Sequence, residues 1–121
     1  MLQKHYRLRR SADVKQVRQQ GNSWRHPLAI LLATKNDQDV SRFAVSASRG
    51  VGKAVVRNRA RRLLREAVRR HLHEIENGWD CLLIARTTTP QASFAEVEAA
   101  VLRLLARARL WPKDMSPHRP E

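Results

Sequence analysis

The sequence predicts an α/β (α+β) sandwich in which a small, mostly antiparallel sheet is covered by helices, in the order helix, strands, long basic helix, strand, helix. Three observations predict it. Two strand-like runs precede a long amphipathic segment, a third apolar run follows that segment, and the chain closes on a helical repeat with a capping signature. A chain of 121 residues with 42% hydrophobic side chains has room for one small core and not for two. A single domain is assigned to residues 1–111, and the tail 112–121, with Pro112, Pro117 and Pro120, is expected to be disordered.

In chain order, Ser11 is placed to cap a short helix that carries Val14 and Val17 on one side and stops at Gly21. "HPLAILLATKN" reads as a strand that is apolar on both faces, entered at Pro27 and left at the polar "KNDQD" turn. In "RFAVSAS" the larger Phe43, Val45 and Ala47 alternate with Ala44, Ser46 and Ser48, the pattern of a strand with one packed and one open face. "WDCLLIART" makes a later strand and "TTTP" a turn. Ser93 with Glu96 three residues on is a capping box, after which Val97, Val101, Leu104, Leu105 and Ala108 recur at helical spacing. The sheet is expected to be covered on one side.

Between the second and third strands lies "VGKAVVRNRARRLLREAVRR", where eight cations face a single acid, Glu66. At about 100° per residue, Ala60, Leu63, Leu64, Ala67, Val68, His71, Leu72 and Ile75 gather on one side. Asn58, Arg62, Arg65 and Arg69 gather on the other, with Arg61 at the border and Arg59 and Arg70 at the far edge. A helix of this kind packs one face on the sheet and presents guanidinium groups outward. Arginines at i, i+4 repel by a few tenths of a kcal/mol per pair, and arginine is the residue whose planar fork grips phosphates. The formal net charge of +13, from 24 Lys+Arg against 11 Asp+Glu, points the same way, to nucleic acid and to RNA before DNA.

Other chemistries find little support. The longest apolar run, Leu28 to Ala33, is far shorter than the roughly 20 residues a membrane span requires, and "MLQKHYRLRR" is followed by no apolar signal core. One cysteine, Cys81, allows no intrachain disulfide, and a reducing, cytoplasmic setting is expected. "SRGVGKA" lacks two residues of a phosphate-binding loop, having Ala47 and Ala54 where Gly and Ser or Thr belong. Gly50 and Gly52 read instead as the turn into the basic helix, whose free amides could receive a phosphate. His71 and His73 are two apart on a helix and point to different sides, so His71 reads as a packed core histidine. Trp24 either offers an aromatic surface or seals the core edge. No set of catalytic side chains stands out, and the polypeptide reads as a binder.

With its residues laid out in this way, the chain resembles the protein subunit of bacterial ribonuclease P over about Arg7 to Leu110. The likeness is most specific in "SASRGVGKAVVRNRARRLLRE", with Arg57, Asn58 and Arg59 at its centre, and is supported by "RLRRSADVKQVRQQG" and "DCLLIAR". The resemblance implies an RNA-binding protein that joins a catalytic RNA and assists magnesium-dependent removal of the 5′ leader from precursor tRNA. Catalysis and the magnesium ions would lie with the RNA, with no metal held by the protein alone, no membrane and no obligate protein partner. It implies that Arg57, Asn58, Arg59, Arg61, Arg62 and Arg65 face the RNA, with Arg49, Lys53 and Arg69 in the same surface. It further implies a leader cleft between the first helix and the open sheet face, at Val14, Arg18, Leu32, Ser46 and Ser48. Relatives carry aromatic residues where Val14, Arg18 and Leu32 stand, and a basic pair where Arg49 and Gly50 stand. A left-handed crossover through the basic helix is implied by the resemblance alone, since local rules favour the right-handed connection in about 98% of cases.

Charge by itself also fits a structural RNA-binding protein of the ribosome or a nucleoid-type DNA binder. A self-sufficient nuclease is disfavoured by the lack of acidic metal ligands.

Overall fold

In the computed structural model, which describes residues 2–113, a four-stranded sheet has the order β1-β2-β4-β3. Its strands are β1 (Asn22–His26), β2 (Ala29–Lys35), β3 (Arg42–Ser46) and β4 (Trp79–Ala85). β1 with β2 and β2 with β4 are antiparallel, whereas β3 and β4 run parallel and are joined through the long helix α2 (Ala54–Arg70). The remaining helices are α1 (Ser11–Gln20) and α3 (Phe94–Arg107).

Period-two alternation sorts the strand side chains into two layers. Leu31, Ala33, Phe43, Cys81, Leu83 and Ala85 join the core beneath α2 and α3, where Leu64, Val68, Val101, Leu104 and Leu105 meet them. The other face is not bare. Val17 of α1 and Leu8 bury against Leu82, with Val14, Leu32, Ala44 and Ile84 half-buried around them. The expectation of a sheet covered on one side is therefore corrected: a ten-residue helix needs only one apolar stripe to dock, and α1 docks its stripe on the second face.

Two local readings are also corrected. "NSWRH" adds a strand that the sequence pattern does not mark, and the chain turns through Pro27 and Leu28 into β2, which starts at Ala29 rather than at Pro27. Trp24 on it is half-buried and packs against the main core, so it seals the core edge. Ser11 is the first helical residue of α1, with Arg10 at the N-cap and no side-chain cap. Gly21 does end α1, for a steric reason: a Cβ there would lie 2.5 Å from the Val17 carbonyl oxygen.

His71 is half-buried and ion-paired rather than packed in the core, its Nδ1 2.9 Å from Glu74 and its Nε2 2.8 Å from Glu98. Burial opposes its protonation, but the bonds to Glu74 and Glu98 prevail and raise its pKa above 6.5. α3 carries the capping box read from Ser93 and Glu96. Pro112 and Lys113 close the described chain, with the Lys113 amide donating to the Glu74 carbonyl at 2.6 Å. The rest of the tail lies outside the described residues.

Candidate nucleic-acid interface

The alternation of β3 and the turn after it aim α2. Beyond β3 the chain passes through a short 3-10 turn, Arg49–Val51, to Gly52 at φ 151°. A Cβ on Gly52 would stand 2.9 Å from Val56 Cγ1, so both the backbone angle and the close approach of Val56 demand glycine. α2 then starts at Ala54, with Lys53 at the N-cap, no side-chain cap and no acid in its first turn. Its positive end is left unneutralised by the protein.

The helix buries Ala60, Leu64, Ala67 and Val68 and leaves Asn58, Arg59, Arg62 and Arg69 exposed, with Arg61 and Arg65 half-buried at the edge. These guanidinium groups differ in their partners. Arg69 grips Glu66 through two bonds of 2.8 and 2.6 Å, and Arg70 reaches the same carboxylate at 3.4 Å. The Glu66 carboxyl is thereby held down at about 2. Arg59 donates from Nε to the Pro90 carbonyl at 2.8 Å, bracing α2 against the turn before α3. Arg57 turns inward enough that its Nε is buried without a partner. Arg61 donates to Asn58 Oδ1 at 2.5 Å. Among the described residues, no carboxylate pairs with Arg61, Arg62 or Arg65.

Arg65 shows where positive charge converges. Burial first, then the guanidinium groups of Arg61, Arg7 and Arg62, lower its pKa below the usual arginine value. It shares a pocket of about 170 Å³ with Arg7 and Arg9, over a floor that includes Phe43 and Val68. Arg7 reaches this place because it bridges Phe43 at the outer edge of β3, where the Leu8 amide donates to the Phe43 carbonyl at 2.8 Å. Sequence reasoning places neither Arg7 nor Arg9 in the site. The signal is present as the dense run "RLRR", but its position against β3 depends on a tertiary bridge.

The second candidate surface is the face of the sheet beside α1. Leu32, Ala44 and Ile84 form a half-buried apolar floor, Val14 borders it, and Arg18 Nη2 reaches across to donate to Ser46 Oγ at 3.4 Å. Ser48 and Gly50 line a shallow hollow at its far end with Ile30, Arg86 and Thr87. The five residues assigned to the cleft thus share one face and its margin; Ile30, Ile84 and Arg86 join them, although their sequence pattern marks them only as strand positions. Lys53 and Arg49 stand exposed between this hollow and α2.

No group of three or more His, Cys, Asp or Glu side chains among the described residues is placed to hold a metal ion. Burial pushes the Cys81 thiol up, away from nucleophilic use. No helix among the described residues is long and apolar enough to cross a membrane.

A small α+β domain that presents Arg61, Arg62 and Arg65 without a carboxylate partner, and a half-buried apolar sheet face beside α1, is a protein of the RNA-binding class. Similarity to known proteins narrows this class. The family model described as Ribonuclease P matches residues 2–109, and the chain belongs to the ribonuclease P protein family. The chain is 35% identical over 116 residues to the ribonuclease P protein component of Herpetosiphon aurantiacus, covering 96% of this chain and 94% of that one. It is 36% identical over 108 residues to that of Clostridium kluyveri, covering 88% and 96%. Among solved structures, the RNase P protein of Staphylococcus aureus superposes with a TM-score of 0.80 at 26% identity, over 89% of this chain and 99% of that one. That of Thermotoga maritima superposes with a TM-score of 0.76 at 32% identity, over 84% and 96%. The chain is accordingly the protein component of ribonuclease P in tRNA 5′ maturation, with the RNA component as catalyst and precursor tRNA as substrate.

Proposed function

We propose that the protein docks on the catalytic RNA through the outward face of α2 and guides the 5′ leader along the open sheet face. Arg61, Arg62 and Arg65 take phosphates, because they carry charge that no acid in the described fold offsets. Arg7 and Arg9 extend this surface around the edge of β3. Asn58 orients Arg61, and Lys53 and Arg49 carry positive charge from the helix start to the cleft. Arg59 braces α2 through its Nε and offers its remaining donors to RNA, and Arg57, whose buried Nε has no partner in the protein, offers its outer donors as well. Arg69 contributes less charge, since Glu66 already engages it.

The leader runs extended over Leu32 and the apolar floor, with Val14 and Arg18 as one wall and Ser46 and Ser48 offering hydroxyls along its path. Arg18 substitutes for an aromatic platform, because a guanidinium plane can stack on a base and also meet a phosphate. The described side chains present no cluster suited to a magnesium ion, and the magnesium ions are assigned to the RNA. A cytoplasmic setting accompanies this reading, and the free, buried Cys81 fits it.

The single observation that carries the docking face is the convergence of Arg61, Arg62, Arg65 and Arg7 without a carboxylate partner. Arg62→Ala and Arg65→Ala each lower the slope of log affinity against log salt by about 0.7 to 0.9, the share of one phosphate that the side chain no longer neutralises. Titration of RNase P RNA over a salt series measures this. An unchanged slope places the RNA on another face.

A further inference from the structure

Val55 is the one large apolar side chain among the described residues that stands exposed, at 79%. It lies in the first turn of α2, next to exposed Ala54. Asn58, Arg59 and Arg62 follow it at i+3, i+4 and i+7, so the three polar side chains stand around it on the outward face. Its neighbour Val56 turns the other way, against Gly52. A β-branched residue gives an exposed helix position less intrinsic stability than alanine. The free fold therefore has no packing use for the valine methyls. Lone exposed apolar residues are ordinary on protein surfaces; this one is set apart by its place, at an uncapped helix start with Arg59 and Arg62 on the same face.

We propose that Val55 is the apolar centre of the RNA contact, receiving the ribose or base face of one nucleotide of the RNA subunit. The proposal rests on the reading that α2 docks on that RNA. The occupant is a nucleotide rather than an apolar peptide because the neighbourhood is cationic: Arg59 and Arg62 share the face of Val55, and the acid on the helix, Glu66, is engaged by Arg69 and Arg70. A sugar or base on Val55 leaves its own phosphates within the reach of those two arginines. An apolar contact enclosed by polar neighbours that exclude water is the arrangement that concentrates binding energy. Phosphate contacts fix orientation, and this contact adds a component that salt does not screen.

The difference in salt response supplies the test. RNase P RNA is titrated with the full chain, its Val55→Ala and Val55→Thr variants, and Arg62→Ala, over a salt series. Val55→Ala is expected to weaken binding roughly fivefold to tenfold, from the removal of two methyl groups, with the parent slope retained at every salt. Val55→Thr keeps the shape and exchanges a methyl for a hydroxyl, so it should also weaken binding; a thermal midpoint for Val55→Ala no lower than the parent's, as the higher helix propensity of alanine requires, places the effect at the RNA interface. Parent affinity for both Val55 variants, with the slope of Arg62→Ala reduced, overturns the Val55 contact and leaves the docking face standing. An unchanged slope for Arg62→Ala overturns the docking face itself. Weakening seen only when the assembled holoenzyme binds precursor tRNA overturns the assignment to the RNA subunit.

Discussion

α2 and α3 lie side by side on the same face of the sheet and both end on basic residues, yet their N-terminal ends are built by opposite rules. α3 opens on the Ser93–Glu96 capping box, keeps an acid in its first turn and places Arg107 in its last. Each choice complements its own free amides, carbonyls and dipole. α2 opens with Lys53 at the N-cap, no side-chain cap and no acid in the first turn, and then stacks arginines along its outer face. A missing cap forgoes about 1 kcal/mol, and each i, i+4 arginine pair a few tenths more. α3 satisfies itself, whereas α2 leaves a deficit of one sign that a polyanion would fill.

The largest expected effect falls on the self-sufficient side. Leu104 in α3 is fully buried, and Leu104→Ala should destabilise the protein by about 2 to 5 kcal/mol in urea unfolding. Arg62→Ala, at an exposed position, should shift unfolding by about 0.5 kcal/mol or less, as exposed substitutions do, while it weakens RNA binding. If the arginine variant unfolded as readily as the leucine one, α2 would be serving the fold and the contrast between the helices would fail.

The two helix starts give the next effect. Ser93→Ala should lower stability by about 1 kcal/mol, because it removes the acceptor of the Glu96 amide at 3.1 Å. Lys53→Asp should do the reverse at α2, raising the stability of the free protein by about 0.5 to 1 kcal/mol through a new cap and a favourable dipole, while weakening its hold on RNA. Thermal unfolding and RNA titration of the same preparations check both. A Lys53→Asp variant that gained stability and bound RNA as before would sever the link between the uncapped start and the partner.

These contrasts follow how the fold could be read. α3 was legible because its capping box and its apolar spacing agree, and the two faces of α2 were legible because nearly every outward residue has one sign. The alternation of Phe43 and Val45 with Ala44 and Ser46 gave the two faces of β3 before its neighbours were known. β1 was not legible: "NSWRH" has no apolar alternation, and it is held as an edge strand by backbone pairing with β2 and by Arg107 donating to the Arg25 carbonyl at 2.7 Å. The place of Arg7 beside Arg65 depends on a bridge to Phe43 that no local pattern announces. The division among the arginines of α2, with Arg59 on a carbonyl and Arg69 on Glu66, needed the neighbouring elements and the actual rotamers.

The smallest effect concerns Glu66, the one acid that interrupts the contrast. Its carboxyl is lowered from 4.5 to about 2, chiefly by the bond to Arg69 and, against the opposing effect of desolvation, by Arg70. A carboxyl depressed in the folded state contributes stability above its unfolded value and loses it as pH falls through the folded one. The contribution is therefore complete above about pH 4.5 and gone near pH 2, and solvent screening keeps it small because the pair is exposed. Glu66→Gln should flatten unfolding stability in that window relative to the parent. At neutral pH the same substitution releases Arg69 and Arg70, so RNA should bind more tightly and with a steeper salt slope. Both shifts together would mean that Glu66 restrains α2 in the absence of RNA and competes with phosphate for the same guanidinium groups. A flattened pH profile with an unchanged RNA slope would instead confine Arg69 and Arg70 to the helix, and the docking face would end at Arg65.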